Sequence, residues 1–525
     1  ASEGRRREEC SVTKLVLKFT TLSDGSEKAS FCVDQRGGTI GRSPDNNISV
    51  PSDMTLAKVR HASIEHSDGA FELVDANTNE YHAAVRVGVG RSASAWLLAK
   101  DAAFSAGNSI FQVMDVQQGD NPRLTVTVLT GPRKNETLCV TRQGATLGRA
   151  TVNTVCISDR ELSRRHSKVS YDAVDGNFYV SDLGSTNGTY VQLVGPYAGR
   201  YPLHVNDHIL VGRTGFSINR YDFAVSEEMG MRKTMEDKSI MVQDMKIDAL
   251  NELDAMMHFT PQTWMAVYDG HGGTQASQFL WKELHDAVVA SLAIRGPLLV
   301  AAADEEARDT IVRAGLKESF LGIDRKFLET SEQAGSTATT VLVLGNRAYC
   351  ANVGDSRTVL CRNGEALPLS LDHKPSREDE AARIKKAGGF IIHKRVMGEL
   401  AVSRAFGDAD FKKGINEILG DNETGENKCG TSSSDQGGDF DAPLIVAEPE
   451  VKVIDLKEGD DFILLACDGL FDVLTNQQAC DLVLQEMATH GDVQRTAETL
   501  SSRAIHEYGS RDNVTILLVL LRQLG

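Results

Sequence analysis

The sequence predicts a multidomain protein, with two all-β sandwiches followed by an α+β domain in which helices flank β-sheets. Three observations carry this. The chain has 525 residues, too many for one core at roughly 150 residues per domain. A pair of motifs recurs in the first half at a nearly constant offset, and helical periodicity begins only after Met229.

Composition sets the class. Hydrophobic residues make up 41% and charged residues 25% of the chain, as in ordinary globular domains, and no apolar run reaches the roughly 18 residues that span a bilayer. The polar start carries Arg5-Arg6-Arg7 without a following apolar stretch, so no secretory signal is expected, and the missing initiator Met leaves room for upstream sequence. Nine widely spaced cysteines, without Cys-x-x-Cys or zinc-finger spacing, predict reduced thiols in an intracellular protein, cytoplasmic and/or nuclear. Of 56 basic and 73 acidic residues, 25 and 24 lie in residues 1–222, leaving 31 against 49 for residues 223–525. The acidic half argues against nucleic-acid binding and suits carboxylates gathered around cations, although a solvated acidic surface would give the same balance.

The first half repeats. Thr39-Ile40-Gly41-Arg42 recurs as Thr146-Leu147-Gly148-Arg149, and Arg60-His61-Ala62-Ser63 as Arg165-His166-Ser167-Lys168, at offsets of 107 and 105. Short alternating runs such as Leu15 to Phe19, Leu124 to Leu129 and Phe178 to Val180 are broken by Gly, Asn and Asp turns. Two consecutive sandwiches of about 100 residues are expected, over 12–117 and 118–222.

In the second repeat three loops carry a guanidinium at Arg149, a hydroxyl in Ser163-Arg164-Arg165-His166 and an amide in Ser185-Thr186-Asn187-Gly188-Thr189. Loops at one end of a sandwich converge, and these groups can grip a phosphate dianion and clamp the peptide carrying it. Gly, Asn and Ser are also ordinary turn residues. The order Gly-Arg, Ser-x-x-His, Asn-Gly resembles the forkhead-associated (FHA) domain, a phosphothreonine-peptide reader. That resemblance implies that Arg149 and Ser163 hold phosphate, Arg164 and Thr186 assist, Asn187 holds the peptide backbone and His166 braces the loops. The first repeat keeps Gly41-Arg42 and His61, but Lys58 stands at the serine position and Glu80 follows Thr78-Asn79 where glycine is expected. It reads as a degenerate FHA domain with a packing or protein-interaction role.

From Met229 the pattern mixes helices, at Gln275 to Ile294 and Glu305 to Thr330, with strands. Thr263 to Tyr268 runs into Asp269-Gly270 and Asp461 to Cys467 into Asp468-Gly469. Thr339 to Leu344, Ala348 to Val353 and Thr358 to Cys361 read as an antiparallel meander turning at Asp355, and Asn363-Gly364 marks a hairpin. Aspartates at the ends of neighbouring strands are brought together by a sheet, and such a cluster needs cations. Oxygen ligands without paired His or Cys favour hard ions, Mg2+ or Mn2+, over zinc. A lone strand-end aspartate is most often a turn or cap, so the surrounding motifs decide.

Those motifs are Arg232-x-x-Met235-Glu236-Asp237, Asp269-Gly270-His271-Gly272-Gly273, Gly335-Ser336-Thr337-Ala338, Gly354-Asp355-Ser356-Arg357, Ala401-Val402-Ser403-Arg404-Ala405-Phe406-Gly407-Asp408, Cys467-Asp468-Gly469-Leu470-Phe471-Asp472 and Ser510-Arg511-Asp512-Asn513. Together, over 223–525, they resemble the PPM family of serine/threonine phosphatases, protein phosphatase 2C. The resemblance implies an α-β-β-α sandwich of antiparallel sheets. It makes Asp269 the bridge between two ions, with the Gly270 carbonyl and Glu236 completing one and Asp468 and Asp512 the other. Asp237 orients the attacking water, and Asp355, Asp468 and Asp472 match a weaker third ion position. Arg232 holds substrate phosphate and His271 protonates the leaving oxygen. No cysteine is followed six residues later by arginine, which excludes the usual cysteine phosphatase spacing.

Two features depart from the family. Met397 in Arg395-Val396-Met397-Gly398 stands where relatives commonly carry asparagine, and 420–441 is a Gly/Ser/Asp/Glu/Asn-rich insertion expected to be a disordered loop near the active-site flap. The expected function is hydrolysis of phosphoserine and phosphothreonine in proteins. The second FHA domain brings in phosphorylated partners, protein kinases among them, an order of modules that resembles plant kinase-associated protein phosphatase. The alternative is a catalytically inert phosphopeptide-binding scaffold.

Overall fold

The computed structural model describes residues 14–21, 27–67, 70–76, 81–88, 95–205, 207–251, 259, 261–412 and 442–521. The chain forms two compact units, Ala1–Tyr221 and Asp222–Gly525. The insertion at 420–441 and the Thr78-Asn79-Glu80 loop lie outside the described residues.

Period-two patterning builds the first unit. Strand Arg123–Val128 buries Leu124, Val126 and Val128 and turns Arg123, Thr125 and Thr127 outward. Two five-stranded sheets pack on one continuous ten-stranded sheet. In that sheet Ala84–Arg86 pairs with Thr189–Gln192, joining the two halves. The result is two sandwiches with two cores.

The cores do not divide at the repeat boundary expected near residue 117. Hairpin Ala103–Ala106/Ser109–Gln117 closes the second sandwich, pairing Val113 with Val126 and Phe104 with Val191. The equivalent hairpin, His208–Val211/Thr214–Asn219, closes the first, pairing Leu17 with Ile218 and Ile209 with Val85. Phe111 packs with Leu124, Leu147 and Phe178, while Phe216 packs with Leu17, Ile40 and Leu73. The two repeats have exchanged their closing hairpins. Their matching patterns let either hairpin complete either sheet, and the exchange joins two sheets edge to edge, leaving two fewer open edges.

In the second unit, strands 222–228, 514–520, 460–466, 357–362 and 365–368 form one antiparallel sheet. Strands 238–242, 262–268, 338–344, 347–353 and 450–455 form the other. Helices Asn476–His490 and Val493–His506 cover the first, and helices Gln275–Ala301 and Glu305–Leu328 cover the second. This is the α-β-β-α arrangement.

Helix Glu305–Leu328 starts where Asp304 caps Ala307 N–H, with Glu305 and Glu306 in its first turn and Arg325 and Lys326 in its last. Helix Gln275–Ala301 runs beyond the expected Ile294 because Leu299 still reaches the core. Its length and apolarity would let it cross a membrane, but Leu280, Leu284, Val288 and Leu292 are fully buried against the sheet. At the hairpin after 357–362, Asn363 and Gly364 have φ of 50° and 81°, the left-handed pair such a turn requires. Met397 also has φ of 55°, which asparagine tolerates better than methionine.

Candidate active site

The strands deliver the acids. Asp269 follows strand Gln262–Tyr268 directly, and Asp468 opens a short helix after strand Asp460–Ala466. Asp355 lies in the turn between Arg347–Val353 and Arg357–Arg362. One carboxylate oxygen from each of Asp269, Asp355 and Asp468 lies within 4.8 Å of the others. A cavity of about 470 Å³ over this cluster is also lined by Arg232, Glu236, Gly270, His271, Asp472 and Asp512.

So much like charge is costly without cations. Burial, then Asp355 and Asp472, push Asp468 up to about 8. Burial and four neighbouring aspartates hold Asp269 well above the carboxylate range, and burial lifts Asp237 to about 6. Asp237 Oδ2 is buried with no protein partner among the described residues, an acceptor poised for water. A Cβ on Gly270 would fall 2.4 Å from the Glu236 carbonyl oxygen, so only glycine permits this approach. Donors that are all oxygen, with an unpartnered carboxylate oxygen beside them, fit hard divalent ions, which Asp269, Gly270, Glu236, Asp468 and Asp512 would hold. At the position assigned to a third ion, Asp355 carries the Lys374 ammonium and Asp472 is exposed.

Four residues that sequence reasoning left without roles organise the site. Thr337 N–H donates to Asp269 O (2.9 Å), and its hydroxyl accepts Asp269 N–H (3.3 Å) and meets Ser356 Oγ (2.6 Å), tying Asp269 to the Asp355 turn. Asn513 accepts Glu236 N–H and donates to the Met229 and Thr234 carbonyls, fixing the Arg232–Glu236 loop. Asp408 lies 2.9 Å from His271 Nε2. A three-stranded ribbon of 270–271, 335–336 and 406–407 brings them together. Gly335 at its centre leaves the room, since a Cβ there would fall 2.3 Å from His271 Nε2. Burial alone would lower the His271 pKa, but Asp408, then Asp355 and Glu236, raise it. Lys374 is the fourth. Asp408 sat inside a recognised motif, whereas Lys374 lay outside every motif and gave no signal. Arg232, the expected phosphate ligand, donates to Asp512 Oδ2 at 2.5 Å and remains largely exposed.

The three loops of the second repeat also assemble. His166 Nδ1 accepts Ser163 N–H at 3.1 Å and its Nε2 donates to Gly188 O at 2.9 Å, bracing two loops from within. Thr186 N–H donates to Ser163 Oγ (3.1 Å), and the Asn187 amide donates to Glu161. The exposed Arg149 and Arg164 guanidinium groups have no protein partner among the described residues. In the first repeat His61 repeats the brace, accepting the Ala57 N–H at 3.0 Å. Arg42 N–H donates to Ala57 O and Ser43 N–H to Lys58 O, as Arg149 does to Ser163 and Ala150 to Arg164. The residue equivalent to Ser163 is therefore Ala57, and Lys58 matches Arg164. One extra residue before His61 shifts the register that counting back from histidine suggested.

The family described as Protein phosphatase 2C matches residues 221–514, and the FHA domain family matches residues 145–212. Protein phosphatase 2C homolog 3 of Schizosaccharomyces pombe is 34% identical over 57% of this chain and 64% of its own length. A probable protein phosphatase 2C of Caenorhabditis elegans is 37% identical over 49% of this chain and 65% of its own. The chain thus spans just under two thirds of these relatives. Protein phosphatase 2C 1 of Paramecium tetraurelia is 33% identical over 57% of this chain and 92% of its own length. A solved serine-threonine phosphatase 2C from Toxoplasma gondii aligns with 57% of this chain and 95% of its own, at 21% identity and TM-score 0.45. With a family match over more than half its length, the chain belongs to the protein phosphatase 2C family and carries an FHA domain ahead of the phosphatase region.

Proposed function

We propose that this protein hydrolyses phosphoserine and phosphothreonine in proteins with Mg2+ or Mn2+, and that the Arg149–Ser163–Asn187 loops dock it on phosphothreonine partners, protein kinases among them. The observation that carries the reading is the convergence of Asp269, Asp355 and Asp468 within 4.8 Å, in a cavity that also holds His271 and Arg232.

When bound, two divalent ions supply the Lewis acidity that makes water a nucleophile near neutral pH. Asp237 offers its unpartnered Oδ2 to orient that water. Arg232 swings its exposed guanidinium from Asp512 onto the phosphoryl oxygens, a planar fork that lysine cannot imitate. With His271 Nε2–H donated to Asp408, Nδ1 is the nitrogen left to pass a proton to the departing serine or threonine oxygen. Docking concentrates phosphosites near the cleft, to the millimolar range for a short tether.

The first repeat, with Ala57 in place of the phosphate-binding serine, serves as a degenerate FHA domain whose hairpin completes its neighbour. Its pairing with a second FHA domain goes beyond the arrangement of plant kinase-associated protein phosphatase. Four buried free cysteines, Cys350, Cys361, Cys467 and Cys480, favour a reducing, intracellular setting.

The test is p-nitrophenyl phosphate hydrolysis with Mn2+ or Mg2+, in the native chain and in Asp468→Asn. Turnover lost on chelation and in the variant supports the reading. Turnover absent with both ions leaves the inert phosphopeptide-binding scaffold, and turnover that survives both treatments removes the metal assignment.

A further inference from the structure

The segment Asp372-His373-Lys374 is fastened to the turn Gly354–Arg357 at three consecutive residues. Arg357 grips Asp372 through parallel hydrogen bonds of 3.0 and 2.8 Å. His373 accepts the Gly354 N–H on Nδ1 at 3.1 Å and donates its own N–H to Gly354 O at 2.9 Å. Lys374 then places its ammonium on Asp355 Oδ2. From the other side Ser403 donates its N–H (2.8 Å) and its hydroxyl (2.9 Å) to His373 O. His373 is fully buried and Asp355 is 3% exposed. A lysine on a surface loop samples many rotamers. This one leaves a backbone pinned on both sides and ends on a buried carboxylate.

Asp355, Asp468 and Asp472 are the three carboxylates assigned by resemblance to a third divalent ion. An ion held by Asp355 at about 2.0–2.6 Å would have to share that carboxylate with the ammonium already on Oδ2, and the two positive charges repel at that distance.

We infer that the Lys374 ammonium takes the third cation position, so that the centre combines two exchangeable divalent ions with one cation built into the chain. The inference rests on the two-ion reading above. It assigns Asp355 to lysine rather than to metal, and it makes the third position independent of the surrounding ion concentration.

Counting bound Mn2+ on the full chain, from free-ion electron paramagnetic resonance and calorimetric stoichiometry, tests this without reference to turnover. The native chain should saturate at two ions per chain, and Asp355→Asn should still bind two. Lys374→Met and Lys374→Gln should each bind three, Lys374→Arg should stay at two, and Lys374→Met combined with Asp355→Asn should return to two. Three ions in the native chain, one of them lost in Asp355→Asn, would overturn the inference, as would two ions in Lys374→Met. No bound ion in the native chain would overturn the phosphatase mechanism itself, so the two failures are distinguishable.

Discussion

Nε2 of His271 lies 2.9 Å from both carboxylate oxygens of Asp408, although 137 residues separate them. The contact fixes the imidazole and leaves Nδ1 as the ring nitrogen that Asp408 does not engage. Proton donation matters most for a poor leaving group. Asp408→Asn should therefore slow hydrolysis of a phosphothreonine peptide about tenfold or more, and p-nitrophenyl phosphate only a few-fold. Equal slowing of both substrates would point to a collapsed site instead.

Ions should stabilise the catalytic unit strongly, since they offset repulsion among Asp269, Asp468 and Asp512. A ligand at 100 times its dissociation constant adds about 2.7 kcal/mol. Thermal unfolding followed by calorimetry should show the catalytic transition rising with Mn2+ and falling with chelator, and Asp468→Asn should lose most of that response. The transition of the first unit should not move.

Acid should loosen the region around His373 and Glu380. Burial, then Arg404 and Arg377, lower the His373 pKa to about 4, with Glu450 and Glu380 opposing. Folded His373 is neutral between pH 6.5 and 4 while the unfolded residue binds a proton, so its contribution is complete above 6.5 and lost as pH falls toward 4. The full loss is about 3 kcal/mol. Glu380, lowered to about 2 against burial by Arg404 and Arg383, adds a second loss below pH 4.5. Hydrogen exchange near residues 350–405 should accelerate across the first window. His373→Asn, which keeps an acceptor for Gly354, should flatten it.

Phosphopeptide docking should depend on Arg149 and Ser163. Loss of one charge-assisted contact removes roughly 1.5–3 kcal/mol, or 10- to 100-fold in affinity. Arg149→Ala should weaken phosphothreonine-peptide binding by that factor in calorimetry without changing p-nitrophenyl phosphate turnover. Ala57→Ser tests whether the first repeat regains affinity once its hydroxyl is restored.

The exchanged hairpins reset the fragment to be used for such work. Residues 87–192 contain every strand around Phe104, Phe111 and Phe178 and should unfold cooperatively in urea. Residues 118–222 lack the hairpin at 103–117 and should not.

Much of this was legible in the chain. Alternation gave the strands, and the ordered motifs gave the acids at their ends. Asp269 and Asp468 could be placed because each follows an apolar run long enough to be a buried strand. The exchange of hairpins was not legible, since Phe111 and Phe216 occupy equivalent positions and either suits either core. Nor was Lys374. Its partner is chosen by a backbone pinned through His373 and Arg357, and pairing between distant segments leaves no local pattern. The serine missing from the first repeat was misplaced by one residue because an insertion before His61 is invisible without hydrogen bonds.

The hairpin at 208–219 has a consequence for biosynthesis. During translation the first sandwich cannot close when its own repeat leaves the ribosome, because its last two strands are encoded some hundred residues later. The second sandwich, whose strands all lie within 87–192, can finish earlier. The second sandwich can thus be completed before the one that precedes it, and strand Lys14–Thr21 waits unpaired on one side until residue 219 has emerged.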